Sequence, residues 1–373
     1  MPWARAFPFH NPIRLQRECP MKKLFNRITE KQARVLTLCL LGAAVVLLGA
    51  ALWLNLRAGG SGTTLTTYAM GSYIQQTVYG AGAEEAAQQA SSAVTELENL
   101  ISWRVEDSDI ATLNQEAGGE FQDIDPQTWD ILNTALQVCQ ASGGAFDITI
   151  APISWLWDFD EEPHLPQAST IESLLPAVDY TQLSLQEDGT AALRSSSSAL
   201  DLGAVGKGAA CDAAVAAYKE AGVERAVVSV GGSVGVYGEK PFGQKWQVSV
   251  RNPDTDGALG VLSVSSGFLS TSGSYEKQFT EDGVTYHHLL DPSTGYPADS
   301  GLLSVTVWSG SGALSDALST ACFVLGLEDS LPLLEQFDSQ ALFITQERQI
   351  YLTSGLEDAF TLSSGDYTLA GTV

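Results

Sequence analysis

Asp201-Leu202-Gly203-Ala204-Val205-Gly206-Lys207-Gly208 runs on through Cys211 and Asp212 to Tyr218. The apolar residues from Ser198 to Leu202 predict a short strand leading into a glycine-rich turn. After the turn, Ala210, Val215 and Tyr218 recur at roughly helical spacing. Glycines let backbone approach a ligand closely, and a helix start offers free N–H groups to an anion. The stretch is not a Walker A loop, because Lys207 is followed by Gly208 rather than Ser or Thr. It also lacks the spacing of a dinucleotide fingerprint. Alone it reads equally as a tight strand-to-helix turn, so the decision rests on the segments around it.

The chain has 373 residues and divides by composition. Its first 60 residues hold nine Lys or Arg and two acids, Glu18 and Glu30. Val35 to Leu54 is apolar apart from Thr37, long enough to span a bilayer. Lys22, Lys23, Arg27, Lys31 and Arg34 precede it, which by the positive-inside rule keeps the N-terminus in the cytoplasm and exports the rest. A cleaved signal peptide is the alternative, but its apolar region runs to about 7–15 residues. Leu38 before Cys39 is too large for a lipobox. The organisation expected is a basic cytoplasmic N-terminus (1–34), a transmembrane signal anchor (35–56), a flexible Gly/Ser/Thr linker (57–66) and one functional domain (67–373). Met21-Lys22-Lys23 resembles an ordinary signal start, so translation from Met21 is an alternative to Met1.

From Ser61 onward 42 acids face 10 bases, a formal charge of −32. Such a surface repels nucleic acid, so no nucleic-acid partner is expected. An anionic ligand would need a metal or backbone dipoles. Cys139, Cys211 and Cys322 lie in apolar helical patterns and read as small core residues. Helical periodicity marks about Ala83 to Ile101, Asp125-Pro126 to about Ala141, the run after Lys207, and about Leu314 to Leu325. Strand-like runs are Ala226 to Val230, Trp246 to Val250, Val261 to Val264, Leu303 to Trp308, Ala341 to Thr345 and Ile350 to Leu352. The mixture predicts an α+β fold with a largely antiparallel sheet. Glu161 to Ala177 reads as a surface loop.

Three further segments carry chemistry. Gly143-Gly144-Ala145-Phe146-Asp147-Ile148-Thr149 sets an acid between a glycine turn and an apolar strand, and also reads as a capped turn. Ser270-Thr271-Ser272-Gly273-Ser274-Tyr275 begins a hairpin expected to return through Tyr286-His287-His288-Leu289-Leu290-Asp291-Pro292. The neighbouring histidines should point to opposite faces, so one of them at most serves a given site. Asp316 and Thr320 are four apart on one helical face. A carboxylate and a hydroxyl there suit a hard cation such as Mg²⁺. The alternative is an acid opposing the helix dipole.

Taken in order, these motifs resemble the ApbE family, the FAD:protein FMN transferases. The likeness runs from about Thr67 to Leu362. It includes Met70-Gly71-Ser72, the Gly-Ala-Phe-Asp segment, Asp201 to Gly208, Val230-Gly231-Gly232, Ser270 to Tyr275, His288 to Pro297 and Asp316-Ala317-Leu318-Ser319-Thr320. The resemblance implies a T-fold-like mixed α/β domain that takes FAD as substrate and uses Mg²⁺. The FMN moiety would pass to a Thr or Ser hydroxyl of an exported acceptor protein, releasing AMP. By motif, Met70, Trp103, Ala145, Phe146, Asp147, Asp201, Lys207 and Leu290 would line the FAD site. The Ala204 carbonyl, Asp316 and Thr320 would hold Mg²⁺, and His288 is the candidate base. The expected location is the cell membrane, single-pass, with the domain outside the cytoplasm. Alternatives are an FAD-binding protein, an FAD pyrophosphatase without protein transfer, or a structural surface protein. Ser233 departs from the Asp that commonly follows the Gly-Gly pair, and Gly235 from a bulkier residue.

Overall fold

The computed structural model describes residues 62–373, so the segments expected as basic N-terminus and membrane anchor lie outside the described residues. Among the described residues no helix is long and apolar enough to cross a membrane. In chain order the strands are β1 (Thr63–Ala69), β2 (Ser72–Tyr79), β3 (Gln122–Asp123), β4 (Leu183–Leu185), β5 (Thr190–Leu193), β6 (Arg225–Val230), β7 (Ser233–Tyr237), β8 (Trp246–Arg251) and β9 (Ala258–Val264). They continue with β10 (Gly267–Gly273), β11 (Gln278–Glu281), β12 (Val284–His287), β13 (Leu302–Ser309), β14 (Gln340–Thr345), β15 (Gln349–Leu352), β16 (Phe360–Leu362) and β17 (Thr368–Thr372). The helices are α1 (Ala83–Ile101), α2 (Asp109–Gln115), α3 (Pro126–Ala141), α4 (Ala151–Trp157), α5 (Ala168–Leu174), α6 (Gly206–Glu220), α7 (Gly312–Leu325) and α8 (Leu327–Gln336).

Nine strands form one sheet in the order β1-β2-β6-β7-β10-β13-β14-β15-β17. Every pairing is antiparallel except β15 with β17. The α+β architecture and the largely antiparallel sheet therefore match the expectation. Side chains alternate across the sheet, so one strand feeds two cores. On β14, Ala341 and Phe343 join the helical core, while Leu342 and Ile344 pack under the small β16-β9-β8 sheet. The helical layer is rich in alanine: Ala86, Ala87 and Ala90 on α1, Ala209, Ala210 and Ala214 on α6, and Ala313, Ala317 and Ala321 on α7 are all buried. Small side chains let helix axes approach closely. Asp125 caps α3 by accepting from the Gln127 N–H at 2.8 Å, with Pro126 at the first helical position. Cys139, Cys211 and Cys322 are free, buried thiols in α3, α6 and α7, as expected, and burial pushes all three above the usual thiol range.

Four expectations are corrected. The stretch Ser198 to Leu202 is not a strand but makes an isolated bridge at Ala199 to Ile150. The amide side chain of Asn114 takes both backbone groups of Leu200, donating to its carbonyl at 3.0 Å and accepting from its N–H at 2.6 Å. The segment from Ser270 to Tyr275 does not pair with the histidine segment, because β10 is already flanked by β7 and β13. The hairpin is β11–β12 instead. Within the supposed loop 161–177, α5 forms because Ile171 buries against Ile153 and Trp157. Finally, β1 starts at Thr63, inside the stretch expected as linker, since its β-branched threonines pair with β2.

Helix α6 meets α7 backbone to backbone. A Cβ on Gly208 would lie 2.0 Å from the Gly312 carbonyl oxygen, and one on Gly312 would lie 2.2 Å from the Gly208 carbonyl oxygen. Gly312→Ala is therefore expected to cost at least ~2 kcal/mol of stability through overpacking. Gly310→Ala, with nothing within 4 Å of the added methyl, should stay within about 0.5 kcal/mol. Urea unfolding of the two variants checks this pair.

Candidate active site

Two helix starts meet at this crossing, and each leaves backbone N–H groups without helical acceptors. A carboxylate from the opposite helix fills each gap. Asp316 of α7 accepts from the Gly208 N–H of α6 at 2.9 Å. Asp212 of α6 accepts from the Gly312 and Ala313 N–H groups of α7 at 2.8 Å each, and from the Ser311 hydroxyl at 3.1 Å. Burial pushes the Asp212 carboxyl above its usual range against these hydrogen bonds, which favour the charged form. The exchange locks α7 onto the glycine-rich turn.

The turn is held from three sides. Asp201 accepts from the Gly203 N–H and from the Ser154 hydroxyl, both at 2.8 Å. The Lys207 ammonium reaches back to the Gly203 carbonyl at 2.9 Å. Its aliphatic stem lies against Gly231, where a Cβ would meet Lys207 Cδ and Ser72 Oγ at 3.1 Å each. Gly231 also sits at φ +55°, so a side chain there meets both backbone strain and a clash. The β1–β2 turn completes the wall: Met70 adopts φ 56°, donates its N–H to Glu98 at 2.8 Å, and presents its methyl to Gly206.

Asp316 therefore reaches the turn one helical turn beyond Ala204, although more than a hundred residues separate them. Asp316 is buried, and among the described residues no ion pair is made to it. A buried carboxylate without a cation is costly unless hydrogen bonds or a metal balance it. Thr320, one turn further along α7, has its hydroxyl 3.0 Å from Ser272. Among the described residues no cluster of three or more His, Cys, Asp or Glu side chains forms. The Asp316 carboxylate and the Thr320 hydroxyl lie one turn apart on α7, and oxygen groups of this kind are what a hard cation takes.

Other candidates offer less from their side chains. Both Asp147 oxygens are engaged, one by the Thr149 N–H and hydroxyl and the other by the Tyr180 N–H. Phe146 is in the main core, and Leu290 packs with Ile153, Trp157 and Ile171. What Phe146, Asp147 and Leu290 can present to a ligand is chiefly backbone. Trp103 is half-exposed, with its ring 4.8 Å from that of Trp155 and the Arg104 guanidinium 4.1 Å above it.

The two histidines diverge as expected. His287 Nε2 lies 3.1 Å from the Ala298 carbonyl, with the ring edge-on to Phe323. His288 turns the other way, its Nδ1 3.3 Å from the Lys277 carbonyl and its ring near Phe159. Burial, then the Lys207 and Lys277 ammoniums, pull the His288 imidazole down to about 3, so it is neutral at pH 7.

With the site assembled, comparison with known proteins is informative. The ApbE family model matches residues 70–343. The chain belongs to the ApbE family. It is 32% identical over 291 residues to the FAD:protein FMN transferase of Treponema pallidum, covering 73% of this chain and 80% of that protein. The FAD:protein FMN transferase of Escherichia coli K12 is 28% identical over 302 residues, covering 78% and 86%. The ApbE protein of Thermotoga maritima superposes with a TM-score of 0.74 at 28% identity, covering 80% of this chain and 99% of that one. The flavinyl transferase ApbE of Pseudomonas stutzeri gives 0.71 at 26%, covering 82% and 99%.

The departures from the ApbE pattern sit inside the sheet. Ser233 is buried and accepts from the Ser270 hydroxyl at 2.9 Å. Gly235 leaves room for Phe268, which a Cβ would meet at 3.1 Å. Sequence reasoning missed Asn114, Ser154 and Asp212, which position the turn and α7 without belonging to any motif. Asp212 alone had a readable signal, a carboxylate one turn into a helix whose neighbours are alanines.

The depressed basicity of His288 bears on stability. An unfolded histidine takes its proton near pH 6.5, whereas the folded one waits until about pH 3. Stability from this group is complete above pH 6.5 and is lost as pH falls toward 3. Histidine ¹⁵N spectra should show no His288 titration between pH 8 and 5. His288→Gln should flatten the fall in melting temperature over pH 7 to 5.

Proposed function

We propose that this enzyme transfers the FMN moiety of FAD to a Thr or Ser hydroxyl of an exported acceptor protein, with Mg²⁺ and with release of AMP. The observation that carries the reading is Asp316, a buried carboxylate without an ion-pair partner among the described residues, seated on the turn of Ala204 and Lys207. Membership in a family whose relatives are named FAD:protein FMN transferase supports it.

Ala204, Asp316 and Thr320 would hold Mg²⁺, which when bound neutralises pyrophosphate charge. Lys207 supplies a second positive charge in an otherwise acidic domain. Among the described residues its ammonium bonds to the Gly203 carbonyl, and it can swing to a phosphate oxygen. Met70, Trp103 and the backbone of Ala145 to Asp147 bound the rest of the FAD site, with Asp201 and Leu290. His288 is neutral, so its Nε2 can accept the acceptor's hydroxyl proton. The hydroxyl oxygen then bonds to the FMN phosphorus while the pyrophosphate bond breaks, and the bridging oxygen leaves with AMP. Positioning and charge neutralisation dominate such a transfer. Residues 35–56 would anchor the chain in the cell membrane with the domain outside.

Incubation with FAD, Mg²⁺ and exported proteins carrying a Ser/Thr-Gly-Ala-Ser/Thr-type site should yield covalent flavin fluorescence on a denaturing gel. AMP formed without labelled acceptor would identify a pyrophosphatase instead. His288→Ala should keep FAD binding and slow transfer about 10²–10⁴-fold. Asp316→Asn should abolish most Mg²⁺-dependent transfer in a folded protein, with Thr320→Val milder. Retained activity in a destabilised Asp316→Asn would reduce Asp316 to a helix cap.

A further inference from the structure

Beyond α4 the chain turns at Asp158, and Asp160 projects between two segments that are remote in sequence. One Asp160 oxygen meets the Arg104 guanidinium at 2.5 Å, and the other meets the Lys277 ammonium. These two cations hold the Asp160 carboxyl below its usual range despite partial burial. Each belongs to a different segment, one carrying Trp103 and the other contacting His288. Arg104 follows Trp103 and lies 4.1 Å over its ring. Lys277 precedes β11, and its carbonyl accepts from the His288 N–H at 3.1 Å and lies 3.3 Å from His288 Nδ1. A carbonyl can only accept, so this contact keeps the proton on Nδ1 and the lone pair on Nε2.

We propose that Asp160 is a positioning residue that ties the Trp103 segment to the His288 segment, setting the aromatic platform and the histidine tautomer together. The inference rests on the flavin-transfer reading. Stability is not the reason for the tie. Half-exposed ion pairs contribute little, and Asp160 and both partners are each roughly half exposed. Geometry is the reason, because one carboxylate bridges two segments that are remote in sequence. The hairpin β11–β12 leans on the same segment through Phe159 and Phe279, with ring centroids 5.7 Å apart. Asp160 thus completes a contact whose apolar half is already in place. Asp160 also pairs with the Lys277 ammonium, one of the charges that disfavour protonation of His288.

The test uses the full chain labelled with ¹⁵N-histidine, with the His288 signal assigned by its loss in His288→Gln. The wild type should show the Nδ1–H tautomer, and Asp160→Asn a mixture of both tautomers. The same variant should lose about 10–100-fold in kcat at saturating FAD and acceptor, while Asp160→Glu recovers most of it. Arg104→Met breaks the same bridge, so it should raise the FAD dissociation constant, read by tryptophan quenching, and also shift His288 toward the mixed tautomer. Lys277→Met should lower kcat with FAD binding held. An unchanged His288 tautomer in Asp160→Asn, or a lowered melting temperature with kcat within twofold, would overturn the tie. The tautomer and FAD-binding measurements need no transfer. A wild type that transfers nothing would therefore sink the functional reading and still leave the tie decided.

Discussion

Two glycines permit the contact on which this structure depends. At Gly208 and Gly312 the backbones of α6 and α7 touch, and a methyl on either would occupy the other's carbonyl oxygen. Close approach of two helix starts brings two sets of unpaired N–H groups together, which would be costly if left without acceptors. Asp212 and Asp316 resolve this reciprocally, each satisfying the other helix. The two carboxylates are not equivalent. Asp212 is surrounded by three donors and is consumed by capping. Asp316 has one such donor at its Oδ2, the Gly208 N–H, so it retains acceptor capacity beside the turn. A structural necessity of helix packing thus leaves a carboxylate oxygen beside the glycine-rich turn.

Charge is distributed to match. Ten bases follow Ser61 against 42 acids. Three of those bases, Arg104, Lys207 and Lys277, gather around His288 and Asp160. The domain as a whole is acidic, while Arg104 and Lys277 meet at Asp160. Such an arrangement favours an anionic ligand at these bases over one that merely adsorbs to the surface.

Much of the frame was legible before any coordinates. The long helices α1 and α3 follow from apolar spacing and from the Asp125-Pro126 cap. The central strands follow from β-branched runs such as Ala341 to Thr345. What escaped was whatever depends on side chains bonding to distant backbone. The stretch Ser198 to Leu202 has the composition of a strand, yet Asn114 takes the Leu200 hydrogen bonds, and no local pattern announces a partner 86 residues away. Helix α5 was hidden because its seven residues bury Ile171 alone. Of the residues the motifs pointed to, Asp201 and Lys207 both bond to Gly203 in the glycine-rich turn, and Asp316 bonds to Gly208 just beyond it. Asp147 shows the limit of motif reasoning, because its oxygens are spent within its own loop.

The departures at Ser233 and Gly235 illustrate how a sheet absorbs change. Both lie on β7, between β6 and β10, where side chains from three strands share one volume. Ser233 joins Ser270 and Ser315 in a buried hydroxyl chain that ends on the Gly312 carbonyl. A larger acid at position 233 would enter this chain with a charge, and among the described residues no cation bonds to these hydroxyls to balance it. Gly235 is small where Phe268 is large, and the ring fills the space that a side chain would need. The two positions are therefore coupled to β10 and to the start of α7. The same hydroxyl chain runs from the sheet to the Gly208–Gly312 contact, so the identity of residue 233 bears on how firmly α7, and with it Asp316, is seated.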